Sequence, residues 1–64
     1  MIRVNGTDDS FLAETVQALM ERRQIESRGV AVALDGEIVR RSEWSTTVVH
    51  DGSSIEIVSA AAGG

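Results

Sequence analysis

The chain has 64 residues, no cysteine, one histidine, and a formal net charge of −4 from ten acidic and six basic side chains. That length supports one domain, whose small core must hold without disulfides or zinc–thiolate sites. The acidic balance excludes the basic stripe that nucleic acid or an anionic membrane requires, and leaves docking on a basic partner open.

No stretch approaches a membrane span, and the first residues lack the basic-then-apolar layout of a signal peptide, so the expected location is the cytoplasm. All six basic residues are arginine (3, 22, 23, 28, 40 and 41). No side-chain amine is therefore offered for Schiff-base chemistry or for isopeptide linkage of the chain to itself.

Ile2-Arg3-Val4 alternates apolar and polar, the pattern of a half-buried strand. Asn5-Gly6 follows, a strong hairpin signal because both residues tolerate positive φ. Thr7 to Phe11 is then expected as the return strand, although Asp8, Asp9 and Ser10 read alone could equally cap a helix. Leu12, Val16, Leu19 and Met20 fall at i, i+4, i+7 and i+8 and predict an amphipathic helix. Burial of each should contribute roughly 1.5–3 kcal/mol. Glu14 near its start and Arg22-Arg23 near its end suit the helix dipole.

Gly29 breaks the polar linker that follows. Val30 to Leu34 reads as a buried strand, Asp35-Gly36 as a second hairpin turn, and Glu37-Ile38-Val39 as its return arm. Arg40 to Thr46 is expected to be irregular, anchored by Trp44. Val48-Val49 leads to a turn at Asp51-Gly52. Ser54 to Val58 is the last strand, with Ile55 and Ile57 on one face and Val58 on the other. The order β-β-α-β-(β)-β predicts an α+β fold, with one helix across a small mixed sheet of four to five strands. If its first and last strands pair in the middle, they run parallel, with the helix in the right-handed crossover between them. The domain is expected over residues 1–59, followed by a mobile tail over 60–64 that has no large side chain to dock.

Side-chain catalysis finds little support. Nucleophilic chemistry needs an activated group beside a base, and the chain has neither cysteine nor lysine. His50 beside Asp51 could be named a dyad, but adjacent turn residues rarely aim at one substrate. Asp8-Asp9 reads as solvated acidic surface, no Gly-rich phosphate loop opens a helix, and one histidine cannot build a metal cluster. The tail differs. Gly63-Gly64 would present a carboxylate on an arm free of side chains, able to pass through a narrow channel at any φ. A frayed terminus has the same composition, so Gly-Gly alone does not decide.

Several features in order carry a resemblance: Gly-Val-Ala-Val-Ala-Leu at 29–34, Val39 with Arg41 beyond it, Trp44, Asp51-Gly52, Ile55-Glu56-Ile57-Val58, and terminal Gly63-Gly64. With them, Gly29 to Gly64 resembles the ThiS family of ubiquitin-like β-grasp sulfur carriers, and more loosely the molybdopterin-synthase small subunit. The first half agrees in layout, with Thr15-Val16 opening the helix. The resemblance implies a carrier rather than an enzyme.

In that family an E1-like adenylyltransferase uses ATP to adenylate the terminal carboxylate, here that of Gly64, which then becomes a thiocarboxylate. The sulfur passes to thiazole synthase for the thiazole ring of thiamine. Gly63 would give access, and a sulfur-donating enzyme would complete the partners of a monomer that binds no cofactor itself. Arg40 and Ser53 stand where the family often has proline and aspartate. Ala60 and Ala61 are smaller than the apolar residues that help relatives dock, so Val58 is expected to share partner docking with them. The alternatives are a molybdopterin-type carrier, disfavoured by the absence of proline, and a ubiquitin-like interaction or modifier domain. A very small enzyme comes last.

Overall fold

The computed structural model describes residues 1–59. Two hairpins frame the sheet. The strands β1 (Ile2–Val4) and β2 (Thr7–Asp9) pair antiparallel, with Val4 opposite Thr7. Their turn places Asn5 at φ 52° and Gly6 at φ 81°, the two positive values that define a type I′ connection. Strands β3 (Val30–Leu34) and β4 (Glu37–Val39) repeat the device, with Leu34 opposite Glu37, Asp35 at φ 50° and Gly36 at φ 87°. Asn and Asp tolerate this region better than other side chains, and glycine occupies it freely.

The last strand, β5 (Ser54–Ser59), lies in the middle of a five-stranded sheet of order β2-β1-β5-β3-β4. It runs parallel to β1, through Arg3–Ser54 and Val4–Ile55, and antiparallel to β3 through five pairs from Val30–Ser59 to Leu34–Ile55. One helix, α1 (Val16–Arg22), lies between the hairpins in sequence. This is the expected β-grasp layout, and the first and last strands do pair in the middle of the sheet, so they run parallel. The return strand of the first hairpin stops at Asp9, so Ser10 and Phe11 lie outside it.

The helix differs from expectation at its start. Leu12 is 44 % exposed and precedes the helix, whereas Val16, Leu19 and Met20 are buried. Thr15 is the reason. Its backbone is extended at φ −83°, ψ 167°, and its hydroxyl accepts a hydrogen bond from the Ala18 N–H at 3.1 Å. Two further N–H groups of the first turn donate into the loop before β5: Val16 to Thr47 O at 2.8 Å and Gln17 to Trp44 O at 3.0 Å. Glu14 therefore sits outside the helix instead of complementing its first turn. Its carboxylate accepts from the Arg22 guanidinium at 2.9 Å, a hydrogen bond that holds Arg22 still more firmly protonated.

One apolar cluster joins helix and sheet: Ile2, Val4, Val32, Val39 and Ile55 from the strands, the three helix residues, and Trp44 and Val49 from the loop. Trp44 follows a 3₁₀ turn at Arg41–Glu43 and is 1 % exposed. Its indole N–H donates to Val39 O at 3.0 Å, so the one polar atom buried with the ring is satisfied. Ser53 is also buried, more than its expected place in a loop suggests. Its hydroxyl accepts from His50 N–H at 3.1 Å and its own N–H donates to His50 O at 2.9 Å. Among the described residues no helix is long and apolar enough to cross a membrane.

Candidate functional site

The end of β5 is where sequence and structure converge, because the chain continues from Ser59 into residues 60–64. Alternation along the strand gives it two faces. Ile55 is fully buried and Ile57 packs against the core, while Glu56 and Val58 point away from it, Val58 being 61 % exposed. Val58 thus faces as expected.

Pairing then decides its neighbours. Val58 lies opposite Ala31, and Ala33 lies between Glu56 and Ile38 on the same outer face. Ile38 is 72 % exposed. Two alanines between larger apolar side chains leave a shallow depression of about 220 Å³, bounded by Ile38, Glu56 and Val58. Ile38 belongs to this patch although its run of three, Glu37-Ile38-Val39, shows no face on its own. Only the register with β3 places it.

Backbone contacts fix the course of β5. On the β3 side it is paired through to Ser59. On the other side β1 ends at Val4, and the turn residue Asn5 continues the ladder. The Asn5 N–H donates to Ile55 O at 2.9 Å. Its side-chain oxygen accepts from Ile57 N–H at 2.7 Å, and its side-chain amide donates to Ile57 O at 3.2 Å. At the opposite end of the strand Asp35 does related work: its N–H donates to Ser54 O and its carboxylate accepts from Ser54 N–H, both at 2.8 Å.

The other sequence candidates separate from this site. Asp51 is engaged by the Met1 ammonium at 2.5 Å, so it does not serve His50, which lies exposed at the turn. Arg3 pairs with Asp8 at 3.5 Å and Arg23 with Asp9 at 2.5 Å, which accounts for the acidic pair in β2 as a neutralised surface. Among the described residues no three histidine, cysteine, aspartate or glutamate side chains are placed to hold a metal. Ala60, Ala61, Gly63 and Gly64 lie outside the described residues.

Comparison with known proteins addresses what this arrangement belongs to. The model of the ThiS family matches residues 2–64, from β1 through both terminal glycines. The chain belongs to the ThiS family. It is 35 % identical over 51 residues to the sulfur carrier protein ThiS of Escherichia coli, covering 80 % of this chain and 77 % of that protein. It is also 40 % identical over 62 residues to a thiazole synthase of Paramagnetospirillum magneticum, covering 95 % of this chain but only 19 % of that much longer protein.

Solved structures agree. The crystal structure of the thiamine biosynthesis protein (ThiS) from Geobacter metallireducens superposes with a TM-score of 0.79 at 27 % identity, over 91 % of this chain and 90 % of that one. The solution structure of a thiamine biosynthesis protein from the same organism gives 0.72 at 30 % identity, over 89 % and 78 %. The ThiS-family sequence match and the fold of solved ThiS structures therefore agree for this chain.

Proposed function

We propose that this ThiS-family chain is a sulfur carrier for thiamine biosynthesis, with the Gly64 carboxylate as its working group. One observation carries the reading above the rest: the family match spans the described β-grasp domain and runs on in sequence through Gly63 and Gly64. A carboxylate is a poor acyl donor until one oxygen becomes a leaving group. An E1-like partner would supply that change. A Gly64 oxygen attacks the α-phosphorus of ATP, an acyl-phosphate bond forms, and pyrophosphate leaves. Hydrosulfide, or its equivalent from a sulfur-donating enzyme, then adds to the acyl carbon and expels AMP, leaving a thiocarboxylate and a released proton. That sulfur is a soft nucleophile, ionised at neutral pH, suited to thiazole formation.

The chain itself contributes binding and presentation. Val58 and Ile38, with Ala31 and Ala33 between them, would dock partners beside the departing tail, joined by Ala60 and Ala61, while Gly63 admits the terminus to a narrow catalytic channel. Thiazole synthase as a partner is supported by the P. magneticum relative, in which a stretch like this chain occurs within a protein of that name. ATP is consumed by the activating partner and this chain holds no cofactor; its place is the cytoplasm, as a monomer in transient complexes. Deletion of Gly64 tests the reading. ATP–pyrophosphate exchange catalysed by the activating enzyme should vanish while thermal unfolding stays unchanged. Exchange that persists without Gly64 would refute it.

A further inference from the structure

We infer that Arg28 and Arg41 form a docking site for a carboxylate side chain of a protein partner, the E1-like activating enzyme. The inference rests on the carrier reading above and deepens it by naming the chemistry of a second contact. Three of the six arginines are already engaged: Arg3 with Asp8, Arg22 with Glu14 and Arg23 with Asp9. Arg28 and Arg41 are exposed, and neither makes an ion pair among the described residues.

The fold brings these two together. Arg28 lies two residues before β3 and Arg41 two residues beyond β4, and a hairpin returns its ends to one place. With Glu26 and Ser27 they line a concavity of about 350 Å³. Both backbones are tethered. Ile25 packs against the core and its N–H donates to Met20 O at 2.9 Å, which holds the linker that carries Arg28. Buried Trp44 closes the 3₁₀ turn, its backbone N–H donating to Arg41 O at 3.2 Å. A site built on fixed backbone loses less freedom on binding.

Strand register gives the site its place. Val30 lies opposite Ser59 and Val32 opposite Val39, so the start of β3 and the ends of β4 and β5 share one end of the sheet. Val58 and Ile38 adjoin that end on the outer apolar face. A partner that covers them meets the arginines at the border of the same contact.

Charge selects the occupant. Two guanidinium groups face one carboxylate in the concavity, an excess of one positive charge. A single carboxylate balances it, and the planar fork of arginine meets a carboxylate with two N–H donors at once. The Ser27 hydroxyl can donate a further hydrogen bond. A polyphosphate or nucleic acid would bring several charges to a site that offsets one, on a chain of net charge −4.

Charges at the border of an interface act mainly on the association rate and its salt dependence. The test therefore measures association and dissociation of the activating enzyme with wild type, with the double variant Arg28→Gln/Arg41→Gln and with Arg28→Lys/Arg41→Lys, at low and high salt. The glutamine pair should slow association about tenfold at low salt and flatten the salt dependence, with the lysine pair in between. Thermal unfolding should not change, because both side chains are exposed. A glutamine variant that binds as fast as wild type, with the same salt dependence, would overturn the inference. So would tripolyphosphate binding to the chain alone and lost in the variant, which would assign the arginines to phosphate. Wild type that neither binds nor is activated would sink the carrier reading, and the inference with it; a wild type that binds no better than the glutamine variant would sink the inference alone.

Discussion

Trp44 shows how much a single side chain carries in a domain this small. It is the largest buried residue, reaches the core from a loop, and ties that loop to β4 through Val39 O. Trp44→Ala should cost about 3–5 kcal/mol, a large share of the stability expected for so short a chain. Calorimetry or denaturant titration should find the variant mostly unfolded near physiological temperature; wild-type melting would remove Trp44 from the core. Its role was legible, since a lone tryptophan among polar residues has few other places to go.

Ser53 and Asn5 were not legible in the same way. Their partners, His50 and Ile57, are fixed by turn geometry and by strand register, and neither leaves a trace in composition. Ser53→Ala should destabilise by about 1 kcal/mol through one lost buried hydrogen bond, readable as a small shift in denaturation midpoint.

At the scale of elements, hairpins read easily and the helix start did not. Asn5-Gly6 and Asp35-Gly36 both form type I′ turns because the chemistry of positive φ is local. The helix was placed by periodicity, and Leu12 satisfies the period without joining the helix. What settles the start is Thr15, whose hydroxyl caps Ala18 N–H, together with carbonyls of Trp44 and Thr47 from about thirty residues away in sequence. The sequence carries the threonine but not the two distant carbonyls.

A pair of substitutions separates the two assignments. Leu19→Ala should cost about 2–5 kcal/mol, as expected for a fully buried leucine, and Leu12→Ala under about 1 kcal/mol. Equal costs would return Leu12 to the buried face. Thr15→Ala should cost about 1 kcal/mol by loss of the cap, measurable in the same titration.

The whole molecule joins a small sheet whose last strand is central to a terminus that lies outside the described residues. That β1 and β5 run parallel once they are neighbours was legible from the order of elements; the strand order β2-β1-β5-β3-β4 itself is known only from the structure. The outer apolar face was legible only at Val58; Ile38 enters through its register with Ala33. On the proposed carrier function, that face predicts Val58→Asp to weaken docking on an E1-like activating enzyme at least tenfold, since a buried unpaired charge at an interface costs more than about 1.4 kcal/mol. Folding should be unaffected because the side chain is exposed. Titration calorimetry would detect the difference, and undiminished affinity would move the docking surface elsewhere.

The central claim is that Gly64 carries sulfur, and intact-mass spectrometry tests it most directly. The chain, ending at Gly64, is incubated with the activating enzyme, ATP and a sulfur donor, alongside a ThiS relative as positive control. The expected result is a mass gain equal to one sulfur replacing one oxygen, localised by fragmentation to the terminal glycine. An unchanged mass beside a converted control would contradict the account and leave a ThiS-family fold without the carrier chemistry.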